Sequence, residues 1–263
     1  MATCPITPIR RGRRLGLASE RPRATAELVL VLVLALVLEC AGALAIAVRE
    51  GGTFQQVGTA LALGASLFVA LRGESRAAYV VAAWFATAAV LKTVAGTEPF
   101  SALALPAHAT RYGLALAIAQ PRFAIPILRV ATSLTFIGHG IEALGQHPKF
   151  IAYIQHTGEL VGVRISDGIT ASLLRLIGAI DLVLAAMVFL RLPRRLAAGY
   201  MTVWGCITAL ARTVYAGPAG IPDTLIRAAN MCAPLALFFL WREPPASSLA
   251  MQPRARPGVG EPP

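Results

Sequence analysis

Arg129-Val-Ala-Thr-Ser-Leu-Thr-Phe-Ile-Gly-His-Gly-Ile-Glu-Ala-Leu144 and, further on, Leu173-Leu-Arg-Leu-Ile-Gly-Ala-Ile-Asp181 decide the fold. Each lies in an apolar run long enough to cross a bilayer. Each also carries groups that hydrocarbon rejects: His139 and Glu142 in the first, Arg175 and Asp181 in the second. The rest of the chain reads as scaffold around that contradiction.

The 263 residues are 56% hydrophobic and 14% charged, against about 25% charged in a soluble domain. Apolar runs of about 20 residues recur, the length that spans ~30 Å of hydrocarbon. The ten-residue alternation of a membrane barrel is missing. The class expected is all-α, a polytopic transmembrane bundle of about eight helices. The spans are placed at about 27–48, 56–71, 77–96, 102–119, 124–145, 169–190, 196–216 and 223–241. His108 and Arg111 interrupt the fourth. Between the fifth and sixth, 146–168 holds Pro148 and an interfacial stretch, Phe150-Ile-Ala-Tyr-Ile154.

Residues 1–26 read as a disordered basic cytoplasmic tail, and 242–263, with its many prolines, as a second disordered tail. A secretory signal, with Leu28–Leu38 as its apolar core, is the alternative reading of the N-terminal region. The length of the run from Leu28 to Val48 favours a retained helix.

The net charge of +11 is explained by arginine on the cytoplasmic side. With a cytoplasmic N-terminus, the inner segments collect the six arginines of residues 1–26, then Arg72, Arg76, Arg122, Arg191, Arg194, Arg195, Arg242, Arg254 and Arg256. The outer segments hold Arg49, Lys149 and Arg164. That bias places both termini in the cytoplasm of a bacterial-type inner membrane. Basic residues scattered over short loops and tails give no nucleic-acid surface. Cys4, Cys40, Cys206 and Cys232 form no C-x-x-C pair, so neither a zinc nor a dithiol site is expected.

An internal repeat emerges when the chain is shifted by about 120 residues. Gly58 then meets Gly178, Ala77-Ala78 meets Ala197-Ala198, Trp84 meets Trp204, and Lys92-Thr93-Val94 meets Arg212-Thr213-Val214. Two four-helix units, 27–119 and 123–241, related by an axis along the membrane normal, are the expectation.

Eight of the charged residues inside the spans are the candidates: Glu39, Lys92, Arg111, Glu142, Arg175, Asp181, Arg212 and Arg227. Facing lipid, each costs roughly 2.5–3.5 kcal/mol. Lys92, Arg212 and Arg227 sit about one turn from a span end and are expected to snorkel to the headgroups. The other five, with His108 and His139, form the candidate polar cluster in the outer half of the membrane: His139, Glu142, Arg175, Asp181, Glu39, Arg111 and His108. His139 and Glu142, three apart, share a helix face. Arg175 and Asp181, six apart, point about 120° away from each other. Interhelical ion pairs and a ligand site remain equal alternatives for this cluster. No P-loop, dinucleotide fingerprint or H-E-x-x-H is present, and no pair of histidines in one span is placed to ligate haem.

Leu128-Arg129, Phe136-Ile-Gly-His-Gly-Ile-Glu-Ala-Leu144, Pro148-Lys-Phe150, Leu174-Arg175-Leu-Ile-Gly178-Ala-Ile-Asp181 and Arg194-Arg195 together resemble the DoxX-like membrane proteins over about 123–241. That family is typically one unit of four transmembrane helices. Here a diverged unit precedes it, in which Glu39-Cys-Ala-Gly42 stands where the His-Gly motif belongs. The resemblance implies a redox-linked membrane subunit, with His139, Glu142, Arg175 and Asp181 lining a site for quinone or a small anion. No covalently bound cofactor is implied, and a redox partner protein would supply electrons. A small-solute or proton-coupled transporter is the alternative reading, though the sequence gives no sign of the broken helices usual in carriers. A non-catalytic scaffold or assembly factor is the third.

Overall fold

The structure, a computed structural model, describes residues 20–192 and 194–241. These form helices joined by short turns and 3-10 segments, with no strand among the described residues. In chain order they are α1 (Glu20–Glu50), α2 (Thr53–Arg72), α3 (Ala78–Ala95), α4 (Ala104–Ala107), α5 (Ala109–Ala119) and α6 (Ala124–Leu144). There follow α7 (Pro148–Leu160), α8 (Asp167–Leu190), α9 (Arg194–Ala216), α10 (Ile221–Leu225) and α11 (Ala228–Leu240).

Local chemistry fixes the helix ends. Gly73 (φ 68°) and Gly96 (φ 63°) close α2 and α3 in the left-handed region, which costs glycine least. Ser166 caps α8 by accepting the Ile169 N–H at 3.4 Å. His147 Nδ1 accepts the Lys149 N–H at 3.1 Å at the start of α7, where Pro148 takes the first turn.

Five helical runs are long and apolar enough to cross a membrane: Ala26–Glu50, Thr53–Arg72, Ser75–Ala95, Pro121–Leu144 and Asp167–Leu190. A sixth is formed if Arg195–Leu225 and Ala228–Leu240, inclined at 56°, count as one bent span. Large apolar side chains point outward, among them Leu71 at 81% and Val94 at 77% exposure. An outer surface of this kind is matched to hydrocarbon. The chain is therefore a multi-pass helical membrane protein.

The expected spans at 27–48, 56–71, 77–96, 124–145 and 169–190 coincide with α1, α2, α3, α6 and α8. Two ends of the chain's expected organisation differ. The helix α1 already begins at Glu20, so residues 20–26 are helical where a disordered tail was expected. The remaining tail residues, 1–19 and 242–263, lie outside the described residues. The expected span 102–119 is broken at His108 into α4 and α5, and 223–241 is broken at Ile226–Arg227 into α10 and α11. At the first break the Thr135 hydroxyl of α6 lies 3.5 Å from the Pro106 carbonyl, the group that Thr110 would bond in an unbroken helix. The freed Thr110 N–H instead donates to the Thr135 hydroxyl of α6 at 2.9 Å. At the second break, α10 folds back on α9. The Thr224 hydroxyl donates to the Ala209 carbonyl at 2.9 Å, which leaves the Thr213 hydroxyl to donate to Thr224 Oγ1 at 2.7 Å.

Packing interlocks the two halves of the chain. The first helix α1 lies against α2 but also against α10 and α11; α6 lies against α8 but also against α4 and α5. Glycine makes these crossings close. A Cβ on Gly138 would come within 2.7 Å of the Ala107 backbone at the α4–α5 break, and one on Gly42 within 2.7 Å of the Ile226 nitrogen at the α10–α11 break. Gly140 and Gly178 face each other where α6 crosses α8.

One end of the bundle gathers the connections that follow α1, α3, α6 and α9. Arg49 reaches the Ala219 carbonyl at 3.0 Å and Asp223 at 3.4 Å. Phe100 stacks on His147 with centroids 5.4 Å apart. At this end α7, which replaces the expected interfacial stretch with a full helix, packs against α8 and α9.

Candidate functional site

A cavity of about 380 Å³ opens between α6, α7, α8 and α9 beneath this end. Its walls are chiefly apolar: Phe136, Phe150, Ile154, Leu174, Ile177, Trp204 and Ile207. Set into them are His139, Asp181, Arg212, Arg227, Asn230, Thr135 and Thr208. A concave, mostly apolar site with a few polar groups is the usual form of a small-molecule pocket.

His139 is half-buried on α6. Its Nδ1 lies 2.8 Å from Glu142 Oε2, one turn along the same helix. The carboxylate accepts the imidazole N–H and holds the ring toward the cavity, so Glu142 acts from behind His139 rather than from the wall. Asp181 is 4% exposed on α8, and its Cβ would lie 3.3 Å from a Cβ built at Gly140. The close α6–α8 crossing thus seats it. Its Oδ1 has no hydrogen-bond partner among the described residues, and Trp204 shares the cavity wall with it.

The expected cluster does not form one group. Glu39, fully buried on α1, pairs with Arg111 of α5 across 3.7 Å, away from the cavity wall. His108 is half-buried at the α4–α5 break, where its carbonyl accepts the Arg111 N–H at 3.1 Å. Arg175 is exposed on the outer face of α8 and joins none of them. Its long stem can carry the charge along the helix toward the headgroups.

Snorkelling describes Lys92, which is part-exposed and pairs with Glu98 at 2.8 Å. It does not describe Arg212, which is 6% exposed. Its guanidinium donates to the Thr208 carbonyl and lies 5.3 Å over the Tyr153 ring. Arg227, half-buried, donates to the Asp223 carbonyl at 3.0 Å. Both line the cavity, and both keep a buried Nε without a hydrogen-bond partner among the described residues. Distance from a helix end suggested a route to water for these arginines, but Tyr153 of α7 covers Arg212. The Lys92/Arg212 match of the repeat concealed the difference, since only the second half carries α7.

At the mouth, His147 sits between Phe100 and Phe150, with centroids 5.4 and 5.1 Å away. Burial there pulls its pKa below the usual histidine value. Glu98 is held below the usual carboxylate range by Lys92. Among the described residues no three His, Cys, Asp or Glu side chains converge to hold a metal ion.

Comparison of the chain with protein-family models, with curated proteins and with solved structures finds no match. The chemistry of the cavity itself therefore carries the functional reading.

Proposed function

We propose that this protein is a DoxX-like, redox-linked subunit of a bacterial-type inner membrane, and that its cavity receives the head of a quinone. The observation that carries the reading is the His139–Glu142 pair, 2.8 Å apart, at the wall of a largely apolar cavity that also holds Asp181. A quinone head offers two carbonyl oxygens and an apolar ring. Protonated on both nitrogens, His139 can donate from Nε2 to one carbonyl while its Nδ1–H stays on the Glu142 carboxylate, which fixes the ring. Reduction to the quinol takes two electrons and two protons. In this reading a redox partner protein supplies the electrons, and Asp181 can hold a proton.

In this reading the arginine bias puts both termini in the cytoplasm, and the α7 end faces outward. The chain is then eight membrane-crossing segments in two parallel units, with α7 inserted in the second. Two observations support the repeat. Each unit's first helix, α1 or α6, packs on the broken fourth segment of the other. Thr110 and Asn230, 120 residues apart, hydrogen-bond to each other at 2.6 Å.

The test is binding of decylubiquinone to the purified protein in nanodiscs, together with quinone-dependent electron flow in membranes. His139→Ala should weaken binding at least tenfold and slow the flow at normal protein abundance. Absence of quinone binding, with electron flow unchanged in the variant, removes the proposal.

A transporter is the second reading, favoured by one observation. The α4–α5 and α10–α11 breaks occupy corresponding places in the two halves, as discontinuous helices do in many carriers. Counterflow in proteoliposomes abolished by Asp181→Asn would establish it, and absence of flux with candidate anions would exclude it. The buried Glu39–Arg111 pair belongs to a structural role in either case, holding α1 on α5.

A further inference from the structure

Arg212 and Arg227 place two positive charges at one cavity. The two carboxylates in electrostatic range of Arg227 are already engaged: Asp223 meets Arg49 at 3.4 Å, and Glu142 meets His139 at 2.8 Å. Each guanidinium is held by one backbone carbonyl, of Thr208 or Asp223, so neither is free to swing away. Each keeps a buried Nε–H without an acceptor among the described residues. A guanidinium N–H buried without an acceptor is costly, and a bound counter-ion would offset that cost. The helix α11 begins at Ala228, directly after Arg227, and adds the positive end of its dipole.

Depth separates these donors from the remaining acid. Arg212 is four residues from the end of α9 at Ala216, about 6 Å by helical rise. Asp181 lies fourteen residues along α8 from Asp167, about 20 Å down. Between them the wall is apolar, formed by Trp204, Ile207, Leu174 and Ile177. The cavity is basic and shallow at one end and apolar further in.

We propose that this cavity binds an oxyanion, a carboxylate or phosphate carried on an apolar body, with the oxyanion between Arg212 and Arg227 and the body along Trp204 toward Asp181. The inference rests on the cavity being a ligand site, as above, but not on any redox chemistry. Guanidinium forks match carboxylate and phosphate oxygens with paired hydrogen bonds. Aromatic and aliphatic walls take up the chain.

The test uses the full chain in phosphatidylcholine nanodiscs, with empty nanodiscs as background. Dodecanoate, dodecanol, dodecyl phosphate, inorganic phosphate and decylubiquinone are the probes, and equilibrium binding is read. Dodecanoate should bind at least tenfold more tightly than dodecanol, which has the same chain without the charge. Arg212→Gln and Arg227→Gln should each erase most of that preference while leaving dodecanol binding unchanged. Arg212→Lys should retain part of it. Equal binding of dodecanoate and dodecanol by the wild-type protein overturns the proposal, and this comparison needs no variant to fold. Inorganic phosphate binding as tightly as dodecyl phosphate also overturns it, because the apolar body would then contribute nothing. Dodecanoate binding without decylubiquinone binding upholds this inference and removes the quinone reading; the reverse result removes this inference alone.

Discussion

The Thr110 hydroxyl of α5 donates to the Asn230 side-chain oxygen of α11 across 2.6 Å, joining the two broken segments of the chain. Thr110 is fully buried and Asn230 is 6% exposed, so neither has water as a substitute partner. Thr110→Val or Asn230→Leu alone should destabilise the protein by about 1–3 kcal/mol, the cost of one orphaned buried polar group. The double variant should lose less than the two single losses added together. Thermal unfolding followed by fluorescence-detected size exclusion measures all three, and strict additivity would deny the coupling.

Gly140 and Gly178 allow α6 and α8 to touch. A Cβ at Gly178 would lie 2.6 Å from the Gly140 carbonyl oxygen, which is backbone and cannot rotate aside. Gly178→Ala should therefore cost about 1–3 kcal/mol and displace Asp181 on the same helix. Gly64→Ala, in α2, meets nothing within 4 Å and should leave stability and abundance unchanged or slightly improved. Equal abundance and melting temperature for the two variants would contradict the crossing.

Glu39 and Arg111 form a pair removed from water. Removing one partner strands the other charge, so Glu39→Ala should cost about 3–5 kcal/mol. Replacing both with apolar residues, as in Glu39→Leu with Arg111→Met, should restore much of the loss. Ligand binding by the restored double variant should match the wild type, because neither side chain lines the cavity. Binding lost at normal abundance would move the pair from scaffold to site.

Glu98 gives the protein an acid-side dependence. Lys92 draws its folded pKa below its ordinary value of 4.5. The sign follows from linkage: a depressed carboxyl contributes stability that is complete above the unfolded pKa. That contribution fades as pH falls through the folded value. Glu98→Gln should lower the melting temperature slightly at pH 7, and the difference from wild type should shrink as pH falls below 4.5 and vanish once pH passes below the depressed folded value. Salt should shrink it, because the pair is half-exposed. A difference that persists undiminished into acid would refute this origin.

Periodicity and composition made the membrane class legible, because five runs of apolar residues are long enough to span on length alone. Gly138-His139-Gly140 and Gly178 are small residues of the kind that permit close helix approach, but they do not say which helices meet. The fate of the arginines was not legible. Position along a helix gives depth but not azimuth, and azimuth separates exposed Arg175 from Asp181 on the same helix. Arg212 and Arg227 looked free to reach water because Phe150-Ile-Ala-Tyr-Ile154 reads as an interfacial stretch, which does not say that its helix packs over α8 and α9. Their role depends on α7 packing over α8 and α9, a contact between segments far apart in the chain. The breaks at His108 and Ile226 were only partly signalled. His108 and Arg111 marked the first, whereas the second depends on Thr224 bonding back to α9.

Trp204 offers the most direct test of the central claim, that the hollow between α6, α7, α8 and α9 is a ligand site. The chain has three tryptophans, and Trp84 packs on Phe54, away from the cavity. With Trp84→Phe and Trp241→Phe in place, Trp204 is the only indole reporting. Decylubiquinone should quench it saturably in nanodiscs, and His139→Ala should shift the midpoint at least tenfold. Quenching that rises without saturation, as for a quinone merely dissolved in lipid, and that is the same in the variant, would contradict the account.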